Sequence, residues 1–394
     1  MWPPKLAPCC CCIRAFPLHL LAPEEASLPQ ELGHPPRCPR QDIEGWGHPQ
    51  DEDAFLKIVP RYTQFAWGFC AVLLMKLSWR VSAKYLHQQM TSPVPVQSAL
   101  SDLPPFKAAF KRFKDKSWRQ ADLLREIVDI DTAAADICSP TQIGDPLITP
   151  EQESRLGLNP MSEWRGYQIS HHPGLIIVRN AISFSGQLAW AQRCLIDYPS
   201  PPNKTNLDPF LGDQSRYRPW DNPRSLHKLR WVTLGYHHNW ETKQYSEDNK
   251  STIPQELCEL CRIGALSLGF ADWQAEAAII HYYQSNSTLS GHVDRSEANM
   301  SAPLLAWSLG QPCVFLIGGE TLEICPTAIL LKAGDLMVMC GEARRAYHAV
   351  PRILKNFNAI SELEIAADFD DLNTKRVLDY LSDHRLNINV RQHH

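Results

Sequence analysis

The sequence lacks the uninterrupted apolar run that a membrane-spanning helix requires. Such a helix needs about 20 consecutive apolar residues, and the best candidate, residues 65–75, ends at Lys76. The first residues also lack the basic start and clean apolar core of a secretory signal. We therefore expect no membrane partner and an intracellular location in the nucleus, the cytoplasm or the mitochondrion.

The 13 cysteines lack the spacing that is typical of a disulfide framework. Their odd number and scattered positions predict reduced thiols rather than a cross-linked secreted domain. Cys258 and Cys261 form a single CxxC motif without a second pair. Two core cysteines on one helix explain this motif as well as a zinc or redox site does.

The chain also lacks an excess of positive charge, because its formal net charge is -4. Overall charge therefore does not indicate a polyanionic partner, and any surface for nucleic acid must be a local basic patch.

Composition divides the chain into three parts. Residues 1–52 are rich in Pro, Cys and His without periodicity, which predicts a disordered or poorly ordered tail. Residues 53–160 predict a helical N-terminal extension and a linker. Residues 161–394 hold most of the strand patterns and predict one larger domain.

The extension contains a basic amphipathic helix that follows Pro104 and Pro105. Phenylalanines recur on one side of it at helical spacing, and basic residues surround them. The helix either docks on the main domain through its phenylalanines or contacts nucleic acid through its basic face. The residues concerned are Phe106, Phe110, Phe113, Lys107, Lys111, Arg112, Lys114 and Lys116.

Short strand patterns dominate the larger domain, with turns between them. Helices are predicted near 185–196, 254–267 and 371–383, and residues 200–228 read as a long polar loop. This pattern favours a sandwich or jelly roll with flanking helices. The expected strands are 175–178, 231–236, 275–283, 304–309, 314–317, 328–331, 336–339 and 386–390.

A possible metal site is formed by His292 and Asp294, which stand two residues apart. If both lie on one strand, their side chains project from the same face. His348 follows the strand 336–339 and would complete a set of two histidines and one carboxylate. Such a set holds Fe(II) and leaves positions open for a cosubstrate and dioxygen.

The C-terminal segment alternates polar and apolar residues from Arg385 to Arg391. As a strand it would present Arg385, Asn387, Asn389 and Arg391 on one face. An arginine there can bind a carboxylate through two parallel hydrogen bonds. A half-exposed edge strand with two surface arginines is the alternative interpretation.

The order of these motifs resembles the AlkB family of Fe(II)- and 2-oxoglutarate-dependent dioxygenases, and most closely its subfamily called AlkB homologue one. The resemblance covers roughly residues 105–394. It rests on the motifs RLNINVR (385–391), HVDRSE (292–297), RWVTLGY (230–236) and YHAVP (347–351).

The resemblance implies an α+β fold with a double-stranded β-helix (jelly-roll) core, flanking helices and the N-terminal helical extension. It also implies site roles. His292, Asp294 and His348 would bind Fe(II). Arg385 and Tyr283 would bind 2-oxoglutarate, Asn387 would support the site, and Arg391 would lie near the keto acid and the substrate.

One position departs from the family, which usually has Asn where this chain has His281. An imidazole can still donate a hydrogen bond to a carboxylate, so His281 is kept among the residues expected at the cosubstrate. The substitution bears on cosubstrate affinity more than on the type of reaction.

The segment 200–230 is expected to form a lid that holds a polynucleotide. Cations suit phosphate groups and aromatic rings suit unstacked bases, while an ordinary solvated loop is the alternative. Tyr236 could line the pocket. The residues expected to contact substrate are Arg216, Tyr217, Arg218, Trp220, Arg224, Trp231 and Tyr236, with Lys228 and Arg230 as further cations.

The resemblance implies that 2-oxoglutarate and dioxygen (O2) are consumed while a C–H bond of a modified base is hydroxylated, typically on an N-methyl group. The expected partner is nucleic acid, with tRNA favoured over single-stranded or unpaired DNA, and no protein partner is implied. Two alternatives stay open. One is a protein (histone) demethylase or hydroxylase, and the other is a catalytically weak binding protein of the same fold.

Overall fold

The computed structural model describes residues 102–211, 218–355 and 371–394. The predicted tail, the first part of the predicted extension (residues 53–101), and Arg216 and Tyr217 lie outside the described residues. No helix in the described ranges is long and apolar enough to cross a membrane.

The described ranges contain eight α-helices and thirteen β-strands. The helices are α1 (Pro105–Lys114), α2 (Gln120–Leu124), α3 (Pro150–Leu156), α4 (Phe184–Gln192), α5 (Asp208–Leu211), α6 (Pro223–Lys228), α7 (Gln255–Leu266) and α8 (Leu372–Asp383). The strands are β1 (Cys138–Thr141), β2 (Arg165–Ile169), β3 (Leu175–Arg179), β4 (Lys204–Thr205), β5 (Trp231–Gly235), β6 (Ala277–Gln284), β7 (Leu289–His292), β8 (Leu304–Gly310), β9 (Cys313–Ile317), β10 (Thr327–Leu331), β11 (Leu336–Met339), β12 (His348–Ile353) and β13 (His384–Arg391).

The strands form two antiparallel sheets. The major sheet has the order β1-β2-β3-β11-β8-β13-β6-β5-β4, and the minor sheet has the order β10-β9-β12-β7. One apolar cluster joins the facing sides of the two sheets, with Ile177 and Ala306 from the major sheet and Phe315 and Ile329 from the minor. This arrangement confirms the predicted α+β jelly-roll fold.

Helices cover both outer faces of the pair of sheets. On the major sheet, α4, α7 and α8 bury Trp190, Leu260 and Leu381 against its outer side. On the minor sheet, α1 and α2 bury Phe106, Phe113 and other apolar residues against its outer side. The flanking helices expected from the sequence are therefore present, and the described residues form four layers.

Helix α1 confirms the predicted amphipathic helix and docks through its phenylalanines. Phe106 and Phe113 are buried, whereas Lys107 and Lys111 on the other side remain exposed. The Phe106 ring packs so tightly on Gly291 that a Cβ atom there would lie 2.7 Å from Phe Cε1. Because Gly291 precedes His292, this helix supports the strand that ends at the expected iron ligand.

Strand β13 occupies the middle of the major sheet, between β8 and β6. Its apolar residues Leu386, Ile388 and Val390 point into the helix-covered core. Its polar residues Arg385, Asn387 and Asn389 point into the space between the sheets. The interpretation of this segment as a half-exposed edge strand is therefore wrong.

Two segments differ from their expected form. The major sheet begins at β1, upstream of residue 161, so part of the presumed linker belongs to the sheet. The segment 200–228 is not a plain loop, because it contains β4, α5, α6 and a 3₁₀ turn at Pro219–Asp221. Short polar elements such as these carry too few apolar residues to produce a detectable period.

Candidate active site

Two histidines and one aspartate meet at one end of the minor sheet. His292 ends β7 and His348 begins β12, and the two residues are direct partners across these strands. Their rings lie 4.3 Å apart between centroids. With Asp294 they offer ligand atoms that all lie within 4.8 Å of one another. The structure thus brings together the three residues predicted as metal ligands.

Both imidazoles are oriented by main-chain carbonyl groups. His292 Nδ1 lies 2.9 Å from the carbonyl oxygen of Ser290, and His348 Nδ1 lies 3.1 Å from that of Ala346. If each Nδ1 carries the proton, each Nε2 keeps its lone pair for a metal. Burial and the neighbouring His292 lower the pKa of His348 to about 4, which keeps this ring neutral at ordinary pH.

Asp294 does not lie on a strand, which corrects the expectation that it shares a strand face with His292. Strand β7 ends at His292, and Asp294 stands in the following loop. The loop still places Asp294 Oδ1 3.7 Å from His292 Nε2, and Asp294 Oδ2 3.8 Å from His348 Nε2. Arg391 fixes the carboxylate through a 2.9 Å bond to Oδ2.

The charge of Asp294 is set by opposing effects. Burial raises the pKa of its carboxyl, but Arg391 and the two histidines outweigh burial and hold that pKa below its usual range. The aspartate is therefore an anion at any ordinary pH, as a metal ligand must be.

A cavity of about 470 Å³, including its open mouth, lies between the sheets beside these three residues. Its polar wall comes from β6 and β13, and its apolar wall includes Leu304, Phe315, Leu331 and Met337. The polar wall consists of His281, Tyr283, Arg385, Asn387 and Asn389.

Arg385 is a buried cation without an acidic partner among the described residues. Its side chain is 2% exposed, and it donates to Ser308 Oγ at 2.7 Å and to the Gln311 carbonyl oxygen at 3.3 Å. Its Nε atom is buried and has no hydrogen-bond partner among the residues that the structure describes. A buried charge is costly unless it is paired, so this site suits the carboxylate of a ligand.

The other polar groups of the cavity also have bonding capacity to spare. Asn387 Nδ2 donates to the Trp307 carbonyl oxygen at 3.1 Å, and its Oδ1 accepts no hydrogen bond from the described part of the chain. Tyr283 lies across from Arg385 in the β6–β13 pairing. Burial and the Arg391 charge lower the pKa of His281 to about 3, so its imidazole is neutral. Arg391 itself lies behind Asp294 and is not part of the cavity wall.

The expected substrate residues are only partly brought to the cavity. Arg218 and Arg224 are exposed, and neither makes an ion pair within the described ranges. Trp220 is 4% exposed and its ring stacks under Arg376 at 4.0 Å. This position does not support the predicted stacking of Trp220 on a base, because its indole is already buried.

Trp231 lies beside the polar wall of the cavity, since it pairs across β5 and β6 with His281. Its ring is 5.0 Å from that of Trp240, which is 39% exposed. Tyr236 does not line the cavity, and its hydroxyl donates to Glu247 Oε1 at 2.5 Å. Tyr236 therefore supports the loop that follows β5.

Sequence reasoning missed the side chains that surround Arg391. Glu297 accepts from Arg344 at 2.7 Å and from Arg391 at 3.3 Å, and Tyr245 accepts from Arg391 at 3.2 Å. Glu297 stands inside the motif that carries Asp294, which was the available signal. Nothing in the local pattern points to Arg344 or Tyr245.

Comparisons with known proteins agree with this site. A family model described as "2OG-Fe(II) oxygenase superfamily" matches residues 174–391. The chain is 41% identical over 222 residues to "Nucleic acid dioxygenase ALKBH1" of Mus musculus, an alignment that covers 52% of this chain and 57% of the relative.

Two further relatives are matched over most of their own length. The chain is 35% identical over 254 residues to "tRNA demethylase abh1" of Schizosaccharomyces pombe, covering 58% of this chain and 82% of the relative. It is 34% identical over 162 residues to "Alpha-ketoglutarate-dependent dioxygenase AlkB" of Salmonella typhimurium, covering 39% and 75%. Of the mouse protein, by contrast, the match spans less than two thirds.

Proposed function

Because the chain belongs to the AlkB family within the 2OG-Fe(II) oxygenase superfamily, we propose that it oxidatively demethylates or hydroxylates a modified base in nucleic acid. tRNA is favoured over single-stranded or unpaired DNA. The names of the mouse and fission-yeast relatives support a nucleic-acid substrate, and the second supports tRNA.

The observation that carries the proposal is that two sets of binding residues face one cavity. His292, Asp294 and His348 converge on one point, and Arg385 is buried with no ion pair to an acidic group in the described ranges. Two histidines and one carboxylate suit Fe(II) with open positions. A planar guanidinium suits the distal carboxylate of 2-oxoglutarate. The residues present therefore fit both groups.

Iron, 2-oxoglutarate and dioxygen, when bound, supply the oxidant that hydroxylates a C–H bond and release succinate and carbon dioxide. The chain's own residues bind and orient. Arg385 and Tyr283 would hold the cosubstrate at its distal end, and His281 and Asn387 offer further hydrogen bonds along the same wall. The apolar wall excludes water from the reacting atoms.

A base must leave its stack to reach this cavity. Trp231 lies beside the cavity residue His281 and next to Trp240, and an aromatic ring at such a position can stack on an extruded base. On the neighbouring helix α6, Arg224 and Lys228 are exposed, as is Arg218 just before it, and these cations suit phosphate groups. We infer that the polynucleotide crosses this surface.

The test is mass spectrometry of modified nucleosides after incubation of the full chain with tRNA, Fe(II) and 2-oxoglutarate. We expect loss of a methylated nucleoside or gain of its oxidised form, with one succinate per event. His292→Ala serves as the matched control. Unchanged nucleosides, together with hydroxylation or demethylation of histone peptides, would instead identify a protein substrate. No turnover on either substrate would identify a binding protein.

A further inference from the structure

Asp294 and three buried charged side chains directly behind it form one cluster of four charges. Arg391 bridges the two acids, with 2.9 Å to Asp294 Oδ2 and 3.3 Å to Glu297 Oε1. Arg344 lies 2.7 Å from Glu297 Oε2 and donates to the main-chain oxygen of Asp294. The side chains of Glu297, Arg344 and Arg391 are 0%, 2% and 5% exposed.

The formal charges of this cluster cancel, because two arginines face two carboxylates. If Glu297 were absent, Arg344 and Arg391 would together outweigh the single charge of Asp294. Electrostatic effects are strong where water is excluded, so an excess positive charge here would repel a divalent cation bound to Asp294. Glu297 is thus placed to neutralise this excess positive charge, so that the negative charge of Asp294 remains available to a cation.

We propose that Glu297 is a positioning residue for the metal site and acts by neutralising Arg344 and Arg391. The proposal rests on the proposed function, since it assumes that Asp294 binds a divalent cation. Among the described residues Glu297 has no hydrogen bond or ion pair to His292 or His348, and it is not one of the residues that line the cavity. Its effect on the metal therefore passes through the two arginines.

Tyr245 adds a geometric element to the same assignment. Its hydroxyl lies 3.3 Å from Glu297 Oε1 and 3.2 Å from Arg391 Nη1. Glu297 thus accepts from three donors, and each of them also holds Arg391 or the Asp294 loop in place. Side chains that orient a metal ligand in this way typically change metal affinity by roughly 10- to 100-fold when they are altered.

The experiment measures Mn(II) binding to the full chain by the loss of the free-ion electron paramagnetic resonance signal. Glu297→Gln is expected to weaken binding by about 10-fold or more. Arg344→Gln in the same chain restores neutrality and should recover most of the lost affinity. Glu259→Gln, which neutralises another paired glutamate on α7, is the control for net charge and should bind as the wild type does.

Wild-type affinity in folded Glu297→Gln would overturn the proposal, as would a double variant that binds no better than the single one. Should Glu297→Gln fail to fold, the double variant decides. Near wild-type Mn(II) binding supports charge balance, and a loss as large as about 10-fold overturns it. If the wild-type chain binds no Mn(II), the metal site of the proposed function fails as well.

Discussion

Asp294 illustrates how one side chain serves two partners. Its Oδ2 atom is held by Arg391 at 2.9 Å, while Oδ1 faces His292 and has no hydrogen bond from the described residues. The anchored oxygen fixes the carboxylate plane, and the other oxygen stays available as a ligand. The rotamer of Asp294 is therefore set before any cation arrives, which lowers the ordering cost of binding.

Removal of His292 should separate activity from stability. We expect His292→Ala to lose turnover while its free energy of unfolding stays within about 1 kcal/mol of the wild type. His292 is partly exposed, and among the described residues its ring is hydrogen-bonded to a nearby main-chain carbonyl.

Asp294→Ala should also lose turnover, but its free energy of unfolding should fall by roughly 3 kcal/mol, because the change removes a partner of buried Arg391. Succinate release and urea unfolding of each variant measure the two effects. Activity of either variant in excess iron would contradict the triad.

Arg385→Lys should weaken 2-oxoglutarate binding with little effect on the maximal rate. Lysine keeps the charge but loses the two parallel hydrogen bonds, and a bond to a charged group is worth about 1.5–3 kcal/mol, or roughly 10- to 100-fold in affinity. Titration of 2-oxoglutarate against the Mn(II)-loaded chain gives the dissociation constant directly. An unchanged constant would place the carboxylate site elsewhere.

Among single residues, those that the sequence could predict are the ones with a recognisable local pattern. His292, Asp294 and Arg385 stand in short motifs whose order is informative. Arg344 could not be found in this way, because its partner Glu297 lies 47 residues away. An ion pair between distant positions has no spacing rule, so only the fold shows it.

At the scale of elements, strands with continuous or alternating apolar residues were predictable, and strands with neither pattern were not. β3, β8 and β11 match the expected ranges closely. β12 was missed because Pro351 lies inside it, and its pairing shifts register on both sides. Proline is confined to edges and bulges in sheets, so a bulged strand reads as a loop. That bulged strand nevertheless begins with His348.

The α6 surface yields a prediction about salt dependence. Replacing Arg218, Arg224 and Lys228 with Gln should weaken tRNA binding and reduce the log–log salt slope by roughly 0.7–0.9 for each phosphate group that is no longer neutralised. Arg155 and Arg262, on helices that cover the outer side of the major sheet, are the matched control pair. Binding at several salt concentrations measures the slope. A triple variant with the wild-type slope would mean that α6 touches no phosphate.

Succinate release without substrate should continue in this triple variant, because the iron ligands and Arg385 are untouched. Its melting temperature should also match that of the Arg155 and Arg262 control. A triple variant that loses substrate-free succinate release and also melts at a lower temperature has a damaged fold rather than an altered binding surface.

For the whole molecule, buried neutral histidines make stability depend on pH. The pKa of His348 falls from its ordinary value of 6.5 to about 4, and that of His281 to about 3, chiefly through burial. Between these values and pH 6.5 the unfolded chain binds more protons than the folded chain. These histidines therefore contribute to the free energy of unfolding above about pH 6.5, and this contribution is lost as the pH falls.

We expect the melting temperature of the metal-free chain to fall progressively as the pH is lowered from about 7 to about 4.5, which is roughly the range where histidines titrate. Burial raises the pKa of Asp335 to about 6, which acts in the opposite direction, but it is one group against several histidines. His348→Asn and His281→Asn should each make the profile shallower. A flat profile in the wild-type chain would show that these rings are solvated when folded.

The central position of β13 also has a consequence for synthesis. A ribosome releases β6 and β8 several dozen residues before the strand that separates them in the finished sheet. Synthesis proceeds at about 5–20 residues per second, so β6 and β8 each keep an unpaired edge for some seconds. Unpaired strand edges are templates for aggregation. Insertion of β13 pairs both edges and also brings Arg385 and Arg391 into place. A newly made chain therefore completes its major sheet and its cavity in the same step.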